Sequence, residues 1–222
     1  MTNSYRKILN ETDVFRSFLV RNATYDGKLE FPMLHTSHLI PKKVITFSEA
    51  LHSREYDAWV VFYEDDAKLM RVWNNPRKYL RILKRFRGVI SPDFSLYRNM
   101  PLIMQGWMKY MSHALAHWWS DRGIEIIPNV RFSTPDSYEF AFDGIEHNST
   151  VAIGTHGCMK RHEDKKYFMD GFHKMLEVLQ PKNIIIYGTV PQEIAAAAKD
   201  AGAHIHAFPS QCAIAHKKKK VR

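Results

Sequence analysis

Six short apolar runs in this chain end in residues able to move protons or grip anions. The runs are DAWVVFY, GVISPDF, IEIIPNVRF, STVAIGTHG, NIIIYG and AHIHAF. Asp65 and Asp66 follow the first, Asp93 and Ser95 the second, and Asn129 and Arg131 fall at the end of the third. His156 and Cys158 follow the fourth, Tyr187 closes the fifth, and Ser210 follows the last. Asp93, Asp65, His156 and Tyr187 are the candidate catalytic groups, because carboxylates and an imidazole exchange protons near neutral pH and a phenol can assist. Two carboxylates at one cleft also supply the hard oxygen ligands that suit a magnesium ion. Arg131 carries a planar fork that matches phosphate or carboxylate. With Asn129 and Ser95 it forms a candidate substrate-binding set. His156 stands in GTHG, where glycine lets backbone approach a ligand closely.

Each residue also has a plainer use. Acids after a strand often cap the next helix, which suits Asp65 and Asp66. Asp93 follows a proline and equally suits a turn, and Arg131 equally suits a structural ion pair. His113 and His117 share a helix face at i, i+4, but the glutamate of a zinc-protease motif is missing, which favours packing over metal. The chain has two cysteines, Cys158 and Cys212, without finger spacing, read as reduced thiols. Neither GxxxxGK[ST] nor GxGxxG occurs, so no phosphate loop or dinucleotide fingerprint can be claimed.

The elements that must position these groups alternate strand and helix. The expected helices cover 67–86, broken at Asn75-Pro76, then 100–122, 163–179 and 191–201, with a short one opened by Thr134-Pro135. Strands that read as continuous apolar runs are buried on both faces. The expected fold is α/β, a mainly parallel six-stranded sheet with flanking helices. It is either open and doubly wound or a partial, distorted (β/α) barrel. In either case ligands sit at the carboxyl ends of the strands. The chain of 222 residues divides into an N-terminal lead-in over 1–50, the α/β domain over 51–210 and a basic, disordered tail over 211–222. The composition, 45% hydrophobic and 25% charged, excludes a disordered protein. No apolar run is long enough to span a bilayer, and MTNSYRKILNETD lacks the apolar centre of a signal peptide, so a soluble, cytoplasmic protein is expected.

Five of the nine net positive charges stand in the terminal KKKKVR. Lys217, Lys218, Lys219 and Lys220 are therefore candidate phosphate contacts. The segment NPRKYLRILKRFR reads as an amphipathic helix. Its Arg77, Arg81 and Lys84 are candidates for gripping a DNA or RNA backbone, with Tyr79 or Trp73 stacking on bases. A solvated helix face is the alternative.

Taken together, YDAWVVFYEDD, RVWNNPRKYL, SPDFSLYRNMP, IPNVRF, SYEFAFDGI and NSTVAIGTHGC resemble the domain of unknown function 4417 family. The resemblance implies a protein of bacteria, phages or other mobile elements and brings no agreed activity. It also implies that Asp143 belongs with Asp93, Asn129, Arg131, His156 and Tyr187 in the family pattern, which adds Asp143 to the substrate-binding candidates. Three functional expectations follow. The first is a nucleic-acid-associated protein of a phage or mobile element, acting at the strand-end cleft. The others are a hydrolase or glycosyl-group transferase on a small polar substrate, and a non-catalytic partner-binding protein. The oligomeric state is not legible.

Overall fold

The computed structural model describes Asp13, residues 15–155 and residues 161–220. A 3-10 turn at Ser17–Val20 precedes an antiparallel ribbon of β1 (Tyr25–Asp26) and β2 (Phe31–Pro32). The main strands are all parallel and form two ladders. One runs β3 (Val44–Thr46), β4 (Trp59–Val61), β5 (Gly88–Ile90), β6 (Ile126–Ile127); the other runs β7 (Thr150–Gly154), β8 (Asn183–Tyr187), β9 (His204–Phe208). The helices are α1 (Phe47–Ala50), α2 (Asp66–Asn74), α3 (Pro76–Leu83), α4 (Leu102–Ser120), α5 (His162–Leu179), α6 (Gln192–Asp200) and α7 (Gln211–Lys220). None of the described helices is long and apolar enough to cross a membrane.

The alternation of parallel strands and flanking helices is as expected, but the single six-stranded sheet is not. β3 adds a strand from within the segment read as lead-in. The ladder also breaks after β6, where Pro128 has no N–H to continue it. What joins the two ladders is one bridge: Ala152 donates to the Pro128 carbonyl and accepts from the Val130 N–H, both at 2.8 Å. α7 lies in the segment read as a disordered tail.

Local chemistry explains the helix boundaries. Thr46 and Glu49 form a capping box at the start of α1. α2 stops at Asn75, at φ −135° and ψ 58°, because a following proline disfavours helical backbone; Pro76 then opens α3. The helix expected after Thr134 is a 3-10 turn, Pro135–Glu139. There the Ser137 hydroxyl accepts from Ser133 N and donates to the Thr134 carbonyl.

Both faces of the strands are apolar, and they face different partners. Val60, Val89 and Ile126 pack beneath α1 to α4. Val151, Ile153, Ile184 and Ile186 pack against α5 and α6. The alternate residues, Trp59, Val61, Ile90, Ile127, Ala152, Ile185 and Tyr187, join one interior cluster with Val44 and Phe208 at its edge. In a flat sheet β4 and β8 would lie roughly 19 Å apart at ~4.8 Å per strand. Yet the rings of Tyr63, just after β4, and Tyr187, at the end of β8, stack at 4.7 Å. The two ladders therefore curl around a shared interior. Gln211 Nε2 donates to Thr46 Oγ1, tying the segment after β9 to the end of β3.

Two aromatic expectations are corrected here. Tyr79 and Trp73, each 6% exposed, are core residues and cannot stack on a base. Tyr79 packs edge-on against Phe47, because the apolar side of α3 faces the interior.

Candidate functional site at the strand ends

β4, β5 and β6 deliver their following residues to one place. Asn129 is anchored by its backbone N–H, which donates to Ser91 Oγ at 2.8 Å. Its amide nitrogen donates to Asp93 Oδ1 at 2.7 Å, and its amide oxygen accepts from the Tyr63 hydroxyl at 2.8 Å. The carboxylate can only accept, which sets the orientation of the amide. Arg131 reaches the other oxygen, Nη1 to Oδ2, at 3.5 Å. Burial raises the Asp93 carboxyl above its ordinary value; Arg131 and the Asn129 bond pull it back, and nearby Asp66 pushes it up again. Burial, reinforced by Asp93, holds the Tyr63 phenol well above its usual value, so it stays a donor.

Tyr63 is held from two further sides. It lies nearly parallel to Tyr187, at 8°. Gly154, at the end of β7, leaves room for its ring: a Cβ there would fall 2.8 Å from Tyr63 carbons. The Tyr187 hydroxyl accepts from Gln211 N at 3.1 Å, so it is turned toward α7. Its phenol is raised mainly by burial.

Beside this cluster lies a cavity of about 580 Å³. Arg131 and Gly154 belong to its wall, with Tyr97, Arg98, Phe132 and Tyr167. Arg98 Nη2 pairs with Asp164 Oδ1 at 2.8 Å, in the first turn of α5, and its guanidinium lies 4.8 Å from the Tyr167 ring centre. The cavity thus combines two guanidinium forks with apolar and aromatic walls, open beside the half-buried carboxylate of Asp93.

The structure brings Asp93, Asn129 and Arg131 into direct contact, with Tyr187 one ring away. Ser95 joins through its backbone N–H, which donates to Asp66 Oδ1 at 3.0 Å. Asp66, not Asp65, is therefore the acid turned toward the cluster; Asp65 is exposed at the N-cap of α2 and makes no side-chain cap bond. Asp143 stands apart, close to Lys109 and Asp26, and burial raises its carboxyl. His156 lies outside the described residues, as do the side chains of Lys217, Lys218, Lys219 and Lys220. Arg77, Arg81 and Lys84 are exposed on α3. Arg77 sits on Phe18 and shares a pocket with Trp118 and Arg122, where α4 ends and the chain turns toward the start of β6. That is the pole opposite the strand carboxyl ends. Among the described residues no group of three or more His, Cys, Asp or Glu is placed to hold a metal ion.

Sequence reasoning missed Tyr63, Arg98 and Lys109. Tyr63 is the last residue of DAWVVFY, directly before the acids that were singled out. Lys109 is the one residue among Asp, Glu, Lys and Arg in the nineteen of α4, a signal that was readable. It is buried, with Nζ 3.0 Å from both His113 Nε2 and the Ala141 carbonyl. His113 Nδ1 donates to the Pro32 carbonyl at 3.0 Å, which leaves Nε2 as the acceptor for Lys109. Burial lowers the Lys109 ammonium to about 7 and His113 well below its ordinary value. The i, i+4 histidine spacing serves this packing arrangement on one side: His113 has both ring nitrogens engaged.

Residues 23–205 match the family described as domain of unknown function, DUF4417. The chain is 33% identical over 163 residues to the Gene 1 protein of Mycobacterium phage L5, covering 72% of this chain and 71% of that protein. It is 32% identical over 163 residues to the Gene 1 protein of Mycobacterium phage D29, covering 72% of this chain and 60% of the relative. No solved structure matches the chain.

Proposed function

The chain belongs to the DUF4417 family and has phage homologues, and from that premise we propose that it is a nucleic-acid-associated protein that takes one nucleotide unit of a DNA or RNA strand into the strand-end cavity. We read the curled ladders as a partial (β/α) barrel, whose open strand ends are the ordinary place for a site. The observation that carries the proposal is the double position of Arg131. It contacts half-buried Asp93 and also lines the cavity wall, as Arg98 does. A phosphate seated on these forks lies beside Asp93, and Tyr97, 56% exposed on the same wall, offers a ring for a base.

In this reading Asp93 moves the proton, since its carboxyl is already shifted toward neutrality by burial. Asn129 and Tyr63 orient it and hold no substrate. Both Asp93 oxygens are engaged, by Asn129 and Arg131, so the magnesium role read for this carboxylate from the sequence is not part of the proposal. His156, whose position lies outside the described residues, is the second proton-transfer group in this reading.

The test is fluorescence anisotropy of a labelled single-stranded oligonucleotide on the full chain, with Arg131→Ala and Arg98→Ala as variants. Binding should weaken about tenfold or more in each, as expected for a lost charge-assisted phosphate contact. Unchanged binding in both variants would sink the proposal. A second reading is an enzyme on a small phosphorylated substrate. It is favoured by the position of α3 at the opposite pole, which leaves the cavity without an adjoining basic track. A mononucleotide that competes as strongly as the oligonucleotide selects it.

A further inference from the structure

At the pole opposite the strand-end cavity, Arg21, Arg77 and Arg122 converge on a pocket of about 180 Å³. At ~30 Å³ per water that is room for about six waters, enough for a small hydrated anion. The wall is built from two rings. Phe18 and Trp118 pack edge to face with centroids 5.5 Å apart. Arg77 lies over Phe18 at 4.6 Å and Arg122 over Trp118 at 4.2 Å. Stacking fixes the plane of a guanidinium and leaves its N–H edge free to bond in that plane. Arg122 spends one of these donors, Nη1, on the Trp118 carbonyl at 3.1 Å.

The charges are left unbalanced. Among the described residues no carboxylate lies within ion-pair distance of Arg21, Arg77 or Arg122. Asp121 is the acid in the pocket wall, and it faces His117 at 3.6 Å. Asp13 acts on Arg21 from outside it. Burial chiefly lowers the Arg122 guanidinium, Asp121 partly restores it, and Arg77 is close enough to lower it again. Bringing like charges together on a rigid aromatic base costs free energy that a bound anion recovers.

We propose that Arg21, Arg77 and Arg122 form a second anion site, separate from the strand-end cavity, that takes a phosphate group. Planar forks at fixed angles suit the several oxygens of phosphate better than a single carboxylate. The phosphate comes either from a nucleic-acid backbone or from a free anion. The site does not depend on the function assigned to the cavity.

The experiment is isothermal titration calorimetry of the full chain with inorganic phosphate and, separately, with a twelve-nucleotide single-stranded DNA. The variants are Arg21→Gln, Arg122→Gln, Asp121→Asn and, as a surface control outside both pockets, Lys199→Gln. Phosphate affinity should fall about tenfold in Arg21→Gln and in Arg122→Gln. It should rise a few-fold in Asp121→Asn, a gain that misfolding cannot mimic, and stay unchanged in Lys199→Gln. Parallel loss of oligonucleotide affinity in Arg21→Gln assigns the phosphate to a nucleic-acid backbone; loss of inorganic phosphate alone assigns it to a free anion. No binding of phosphate to the wild type, or affinity that moves in neither Arg21→Gln nor Arg122→Gln, overturns the proposal.

Discussion

Arginine is used in two ways at the two ends of this molecule. At the strand ends, Arg131 meets a half-buried carboxylate, and Arg98 is paired with Asp164 on the wall of the larger cavity. At the opposite pole, Arg77 and Arg122 lie on aromatic rings over a smaller pocket, with no ion pair among the described residues. The first arrangement is partly desolvated around Asp93, so its energy resides largely in hydrogen bonds and responds to pH. The second is largely solvated, so its energy is electrostatic attraction to an outside anion and responds to salt. Counting basic residues along the chain cannot separate these cases, because the difference lies in what stands opposite each guanidinium.

The sharpest way to break the contrast is Asp93→Ala. It leaves the Asn129 amide nitrogen without the Asp93 acceptor and removes the carboxylate that Arg131 contacts, and should cost about 2–4 kcal/mol in urea unfolding. A loss below ~1 kcal/mol would mean that the cluster is far wetter than its burial indicates. Gly154→Ala comes next. Its Cβ would meet the Tyr63 ring at 2.8 Å, and that ring is held by Tyr187 and Asn129, so a loss of about 1–3 kcal/mol is expected. The same variant should weaken oligonucleotide binding if the cavity is the site, and leave the phosphate pocket at the other pole unaffected.

Lys109 gives a pH prediction with a definite sign. Its ammonium titrates near 7 when folded and near its ordinary 10.5 when unfolded. Between those values the unfolded chain binds the extra proton, so this group makes stability rise with pH across the window, by at most ~1.4 kcal/mol per pH unit. Below about pH 7 its penalty is fully present. Lys109→Met should flatten the pH 7–10 limb of a urea-unfolding series; an unchanged slope would show that Lys109 is not the source. The raised carboxyl of Asp93 acts with the opposite sign, in the acidic range just above 3.8, where its contribution falls as pH rises.

The smallest effect is expected on α3. Arg81→Ala, at an exposed position, should change stability by no more than ~0.5 kcal/mol. If α3 contacts a nucleic-acid backbone, the slope of log affinity against log salt should still drop by about 0.7–0.9. An unchanged slope would make α3 a solvated face and leave the arginine pocket as the basic feature of that pole.

Much of this arrangement is legible in the sequence. NIIIY and WVV read as buried parallel strands because both of their faces are apolar, and Asn75-Pro76 marks the break between α2 and α3 through a steric rule local to the dipeptide. Asp93, Asn129 and Arg131 could be chosen as site residues because parallel strands end on one side. Tyr63 and Arg98 were not chosen, since their roles depend on residues far away in the chain. Tyr63 matters through Asn129 and Tyr187, and Arg98 through the first turn of α5.

The sequence alone determined the order and type of the elements, because helix period, strand run and proline break are set by neighbours along the chain. Only the tertiary structure decided that the ladder splits at Pro128, that the two halves curl until Tyr63 meets Tyr187, and that Asp66 replaces Asp65 beside Asp93. Those outcomes depend on packing between strands many residues apart, where sheet curvature selects which side chains meet.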